Sequence, residues 1–154
     1  DGIRDVERSR GLGDVYKRQI HVSAGILMAD GLILLCQRLP RDPHPLKWEF
    51  PGGKAETGET PKEALIRELT EELSIHVTCV NKIVSYPYQY KNRQAITLHF
   101  FQILSFAGRI QNKAFQTMEW VRREKLRKYD LLAGDLEFLA WLDKHPHALK
   151  KECL

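Results

Sequence analysis

No stretch of this 154-residue chain comes near the roughly 20 consecutive apolar residues that a membrane-spanning helix needs. The opening DGIRDVERSR also lacks the apolar core of a secretory signal. Cysteine is scarce: Cys36, Cys79 and Cys153 stand far apart with no CxxC pair, so neither a disulfide framework nor a zinc site is indicated. They read as free thiols in a cytoplasmic protein. Internal repeats and low-complexity segments are missing as well, which excludes a solenoid or a disordered linker. At 43% hydrophobic and 29% charged, what remains is the composition of one folded domain. The net charge of +4 raises the question of a nucleic-acid partner, but residues 1–19 contribute +1 and residues 144–154 +2. The excess sits in the ends, so solvated tails fit better than a groove for nucleic acid, and neither a stable nucleic-acid partner nor a membrane partner is expected.

Residues 1–19 show no apolar period and read as an unpacked arm, foreign to the native domain on the strength of the phrase GLGDVYKRQ. The domain starts at Ile20 and runs to residue 143, with a basic tail over 144–154. IHVSAGILMA and LILLCQR flank Asp30-Gly31, which predicts two strands joined by a hairpin. LPRDPHPLK, with three prolines, is a loop that delivers the chain to Trp48-Glu49-Phe50 and a turn at Pro51-Gly52-Gly53. Further strands are predicted over His76–Ser85, Ala95–Phe106 and Thr117–Val121. A short helix is expected over Arg123–Lys128 and a longer one over Asp135–Leu142, capped by Asp135. This alternation implies an α/β sandwich with a mixed sheet.

The best-defined helix begins at Thr60, where Pro61 at the first position and Glu63 at the third make a capping box, and Ala64, Leu65, Leu69 and Leu73 supply an apolar face. It is unusually acidic. At about 100° per residue, Glu68, Glu71 and Glu72 fall within an arc of about 100° beside the apolar face. Like charges so placed repel unless a cation joins them, and hard oxygen donors in this number suit Mg²⁺ or Mn²⁺. The preceding Gly52, Gly53 and Gly58 let backbone approach a ligand closely, and Glu56 extends the acidic group towards that loop.

Gly53, five residues, Glu59, seven residues and Arg67-Glu68-Leu69-Thr70-Glu71-Glu72-Leu73 is similar to the signature of the Nudix hydrolases. WEFPGGK at 48–54, the earlier Gln37-Arg38 and the later YDLLAGD at 129–135 resemble its MutT-like branch, over about residues 20–143. The resemblance implies a Nudix-type α/β/α sandwich. It implies that Glu71 and Glu72 bind a divalent metal with a backbone carbonyl of Gly52 or Gly53, that Glu68 is a further ligand or the base that activates water, and that Glu56 supports the metal through water. Arg67 and Glu59 would orient helix and loop by a charge-assisted hydrogen bond. Lys54 and Arg38 would meet phosphate or ribose, Phe50 and Tyr88 the substrate, with Tyr86 and Phe101 as further stacking candidates. Asp135 falls where MutT-like relatives place a base-reading Asn or Asp. Its rival role is the helix cap. His44, His76 and His99 show no ligand spacing and read as packed or solvated.

Two departures stand out. The glycine near the end of the signature helix is Ser74 here, at a position that commonly turns left-handed. The glutamate often found in the loop before the last strand is replaced by Ala114, which leaves the metal count open. The expected chemistry is Mg²⁺-dependent hydrolysis of a nucleoside triphosphate to the monophosphate and pyrophosphate by a monomer or homodimer, with 8-oxo-dGTP as first substrate. A cytidine nucleotide is the alternative, and a weakly active nucleotide-binding module the alternative from another class. An EF-hand is excluded because the loop lacks alternating DxDxDG ligands.

Overall fold

The computed structural model of the protein describes residues 19–153, so the arm expected over 1–19 lies, but for Gln19, outside the described residues. Asp30 and Gly31 both take positive φ, 53° and 79°, the turn geometry that matches the twist of paired strands. Strands β1 (Ile20–Ala29) and β2 (Leu32–Gln37) accordingly pair antiparallel, with Ala29 opposite Leu32. A parallel partner for β1 comes from far along the chain: β6 (Ile96–Ala107) runs beside it from Ile20 opposite Ile96 to Leu27 opposite Ile103. Next to β6 lies antiparallel β5 (His76–Tyr88), and β7 (Thr117–Arg122) pairs antiparallel with β2. Two short strands, β3 (Trp48–Glu49) and β4 (Gly52–Lys54), attach to β2 and β1. The sheet is mixed, as expected.

Side-chain alternation along β1 explains why both faces are covered. Ala24 and Ile26 pack on one side with Phe50, Phe100 and the helix α2 (Ala133–Lys144), whose Phe138, Leu139 and Leu142 are buried. Leu27 faces the other side with Ile103 and the helix α1 (Pro61–Leu73), whose Leu65, Leu69 and Leu73 are fully buried. The result is an α/β/α sandwich. α1 starts with the complete capping box, Thr60 Oγ1 accepting from Glu63 N–H and the Glu63 carboxylate from Thr60 N–H. It ends at Ser74, left-handed with φ 60°. The short helix Arg123–Lys128 has 3-10 geometry.

Four expectations are corrected. α2 begins at Ala133 after Leu132, so Asp135 is its third residue, buried and without a capping role. Its side chain turns instead to Phe50, whose N–H it accepts at 3.2 Å. Gly52 and Gly53 form strand β4 rather than a turn, because the chain at Ser23 and Ala24 offers unused pairing groups. Cys79 and Cys153 are bonded to each other, and only Cys36 is a free thiol. The pairing spans 74 residues and depends on how the C-terminal segment docks, which no local spacing records. That segment is accordingly anchored at Ala148–Lys150 and at Cys153, while its three lysines stay exposed. Buried Gln102 donates to the Lys150 carbonyl at 2.7 Å and accepts from Lys150 N–H at 2.8 Å, while Ala148 and Leu149 pack on the core.

Candidate active site

Glu71 and Glu72 lie one turn after Glu68 on the edge of α1, because Leu65, Leu69 and Leu73 must point into the core. Arg67 gathers most of the surrounding acid. Its guanidinium donates to both oxygens of Glu59, at 2.7 and 3.0 Å, to the Lys54 carbonyl at 3.1 Å and to Glu71 at 3.2 Å. Glu68 and Glu56 lie 3.5 and 3.8 Å from its Nη1. Glu59 in turn accepts the Glu56 N–H at 2.9 Å, so loop and helix are tied through one arginine. The bond from Arg67 holds the Glu59 carboxyl below its usual range.

Strand β4 brings backbone against this acidic edge. Gly52 takes φ +151°, and a Cβ there would stand 2.0 Å from the Ser23 carbonyl oxygen. At Gly53 a Cβ would stand 2.3 Å from a Glu68 oxygen, so the carboxylate rests directly on the glycine. Gly52 N–H donates to Glu72 at 3.2 Å. Burial pushes the Glu72 carboxyl up to about 9, with the charges of Glu68, Glu49 and Glu71 adding to the effect. Burial also raises Glu68, opposed by Arg67.

A cavity of about 480 Å³ opens from Glu72 and the two glycines towards α2. Its floor is Phe50 and Leu98, and its far end holds Leu132 and Asp135. Glu49, which sequence reasoning missed, faces the same space from β3, and Arg38 reaches its carboxylate at 3.0 Å while also donating to the Pro43 carbonyl. Burial raises Glu49 to about 7, opposed by Arg38 and aided by Asp42, and burial lifts Asp135 well above the ordinary carboxylate range, with the charge of Glu49 adding to the effect. Glu49 sits in the WEFPGGK segment, but only the pairing of Cys36 with Glu49 shows which way it points.

Of the other expected residues, Arg38 and Phe50 line the cavity and Lys54 does not; its carbonyl serves Arg67. Tyr88 stands behind Tyr90, in edge contact at 4.8 Å, and Tyr86 stacks on Phe100. Phe101 is buried beneath α1 and lies outside the cavity. His99 is packed against Ser85 and His21. Ala114 lines the cavity, so the loop before β7 presents a methyl group there in place of an acid.

The NUDIX domain family matches residues 18–142. The chain belongs to the Nudix family. It is 36% identical over 122 residues to the CTP pyrophosphohydrolase of Escherichia coli K12, covering 79% of this chain and 90% of that one. It is also 36% identical over 104 residues to the 8-oxo-dGTP diphosphatase of Proteus vulgaris, covering 63% of this chain and 87% of that one. Among solved structures, the E. coli ORF135 protein superposes with a TM-score of 0.74 at 34% identity, covering 87% of this chain and 95% of that chain. A MutT NUDIX hydrolase from Burkholderia pseudomallei shares the fold, with a TM-score of 0.72 at 22% identity over 80% of this chain and 97% of that one. The protein is thus a MutT-like Nudix hydrolase.

Nudix hydrolases generally use divalent metal ions, and the donor set here fits one. Among the described residues no three acidic, histidine or cysteine side chains converge on a single point, since Arg67 draws Glu56, Glu68 and Glu71 towards itself. Glu72 is nevertheless raised first by burial and then by the like charges of Glu68, Glu49 and Glu71, surroundings in which a divalent cation would be favoured. Oxygen donors of this hardness, beside a backbone strand that approaches without Cβ atoms, suit Mg²⁺ or Mn²⁺.

Proposed function

We propose that this Nudix hydrolase is a Mg²⁺-dependent nucleoside triphosphate pyrophosphohydrolase that takes 8-oxo-dGTP from the cytoplasmic nucleotide pool. The observation that carries this reading is the contact of Glu68 and Glu72 with Gly53 and Gly52 beside a cavity that is also lined by buried Asp135 and half-buried Glu49. Triphosphate beside the glycines and base beside Asp135 is the arrangement such a substrate needs. Glu72, Glu71 and a carbonyl of Gly52 or Gly53 would hold the metal, with Glu68 as a further ligand or as the base and Glu56 in support through water. The bound metal lowers the pKa of the attacking water and neutralises phosphate oxygens.

The chain's own part is positional and proton-handling. Arg67 fixes the faces of Glu68 and Glu71, and the Glu68 carboxylate, raised by burial, accepts the proton that the attacking water loses as it bonds to phosphorus. The phosphoric anhydride then breaks to give nucleoside monophosphate and pyrophosphate. Arg38 lies close enough to the cavity to meet phosphate or ribose. Burial lifts Asp135 well above the ordinary carboxylate range, and in its protonated form it would donate as well as accept towards a base edge. That widens the bases it can serve, and the likeness to the E. coli CTP pyrophosphohydrolase favours a cytidine triphosphate as the second reading.

The test is Mg²⁺-dependent pyrophosphate release from 8-oxo-dGTP, dGTP, dCTP, 5-methyl-dCTP, ATP and ADP-ribose, with Glu72→Gln as control. Turnover of 8-oxo-dGTP above the others, lost in the control, supports the proposal. Preference for a cytidine nucleotide supports the second reading, and silence on every triphosphate refutes both.

A further inference from the structure

The outer edge of the cavity is made by two rings that the phosphate chemistry does not use. His44 comes from the loop after β2 and Tyr90 from the segment after β5, and their ring centroids stand 5.1 Å apart at 45°. Both line the cavity that also holds Glu72 and Asp135. Neither ring is loosely placed. The Tyr90 hydroxyl accepts from Gly134 N–H at 3.2 Å, and the Tyr86 hydroxyl donates to the Gly134 carbonyl at 2.6 Å. A Cβ on Gly134 would stand 2.6 Å from the Tyr90 oxygen and 2.8 Å from a Leu98 methyl, so the missing side chain is what lets the tyrosine reach α2 beside Asp135. His44 holds a left-handed φ of 53° in a loop tied by Arg38 Nε to the Pro43 carbonyl at 2.6 Å and by Lys47 N–H to the His44 carbonyl at 3.3 Å. A non-glycine residue at such a φ costs free energy, and the loop's ties maintain it.

The acids lining the cavity beside these rings outnumber its one lining cation, Arg38, which Glu49 holds at 3.0 Å. Asp135, Glu49 and Asp42 line the cavity there, and its floor is Ile96, Leu98 and Phe50. Burial, aided by Arg38, Arg93 and Lys47 around the loop, keeps His44 below the ordinary imidazole pKa, so its ring is a neutral face at pH 7. Flat neutral rings over an apolar floor, with hydrogen-bonding acids at the edge, suit a planar heteroaromatic ring. Resting on the proposed nucleotide chemistry, we infer that His44 and Tyr90 form a lip that packs against the nucleobase and sets base preference, with Gly134 and Tyr86 fixing the lip in place.

Two measurements test the lip. In turnover, His44→Ala and Tyr90→Ala should raise KM for the preferred nucleotide by about 10-fold with kcat changed less than about twofold, and should flatten the ranking among bases. Tyr90→Phe keeps the ring and should restore most of the KM. In binding, on the Glu72→Gln background, the same two alanine variants should weaken a nucleoside monophosphate by about 10-fold and leave inorganic pyrophosphate unchanged. An unaltered ranking in folded alanine variants, equal weakening of both ligands, or a Tyr90→Phe variant as impaired as Tyr90→Ala would overturn the lip. Failure of the pyrophosphohydrolase reading is separate: there the wild type turns over no triphosphate, and nucleoside monophosphate binding alone decides, with no His44-dependent or Tyr90-dependent affinity sinking the inference.

Discussion

Adding one methyl group at each of two adjacent glycines should produce opposite failures. At Gly52 the added Cβ would lie 2.0 Å from a backbone oxygen of Ser23 and 3.0 Å from Ala24 Cα, so nothing flexible can move aside. The φ of +151° adds strain of about 1–3 kcal/mol for a non-glycine residue. Relieving the clash means parting β4 from β1, losing two or three hydrogen bonds worth about 1 kcal/mol each. Among these is Gly25 N–H to the Pro51 carbonyl at 2.7 Å. Gly52→Ala should therefore cost about 3–5 kcal/mol, or about 10 °C in Tm at roughly 3 °C per kcal/mol for a domain of this size. At Gly53 the clash is with the end of the Glu68 side chain, 2.3 Å away, which can swing out at little cost. Gly53→Ala should keep its Tm within about 2 °C and lose about 100-fold in kcat, the usual price of displacing a reacting group by an ångström. Calorimetry and Mg²⁺-dependent turnover on both variants decide. A Gly53→Ala enzyme with near-normal kcat would show that Glu68 does not work from the position it occupies, and a Gly52→Ala protein that melts with the wild type would refute the close β1–β4 approach.

Glu72→Gln should leave the Tm of the metal-free protein unchanged or raised, because the acid it replaces is already protonated near neutral pH, while turnover falls by orders of magnitude; near-normal activity would remove Glu72 from the metal site. Asp135→Ala should alter the ranking among bases more than the Mg²⁺ dependence, and an unchanged ranking would reduce it to a partner of Phe50 N–H. Cys153→Ser, or reduction, opens a loop of 74 residues and should lower Tm with kcat untouched, by an amount that chain entropy caps at about 4 kcal/mol; identical melting with and without reductant would show that Gln102 alone holds the segment. Burial, with the charges of His21 and Lys82 adding, holds His99 down to about 4, so between that value and about 6.5 the unfolded chain binds the extra proton and stability falls as pH falls. The loss should approach about 3 kcal/mol at roughly 1.4 kcal/mol per pH unit, and a His99→Gln variant whose melting profile keeps the same acid slope would refute the assignment.

What was legible in the chain was what repeats at short range. The capping box at Thr60, the apolar face of Leu65, Leu69 and Leu73 and the acids beside it follow from a period of 3.6, and all of them are found in place. Asp30-Gly31 was legible because a two-residue hairpin states its own geometry. The errors share one cause, which is that a partner distant in sequence outbid a local preference. Asp135 looks like a helix cap until Phe50, 85 residues away, offers a buried N–H that only a side-chain acceptor can satisfy. Gly52 and Gly53 look like a turn until Ser23 and Ala24 supply a strand that tolerates no Cβ. Glu49 is a plain acid between two aromatics until β3 sets it on the cavity wall against Arg38, and Tyr90 is a loop tyrosine until Gly134 admits it. The proposed metal end of the site is encoded mainly by one helix, whereas the proposed base end is assembled from β3, α2 and two loops. Substitutions in those loops would therefore change the base that is read while α1 and its acids stay in place, a separation that fits the different names, CTP pyrophosphohydrolase and 8-oxo-dGTP diphosphatase, of two proteins equally similar to this chain.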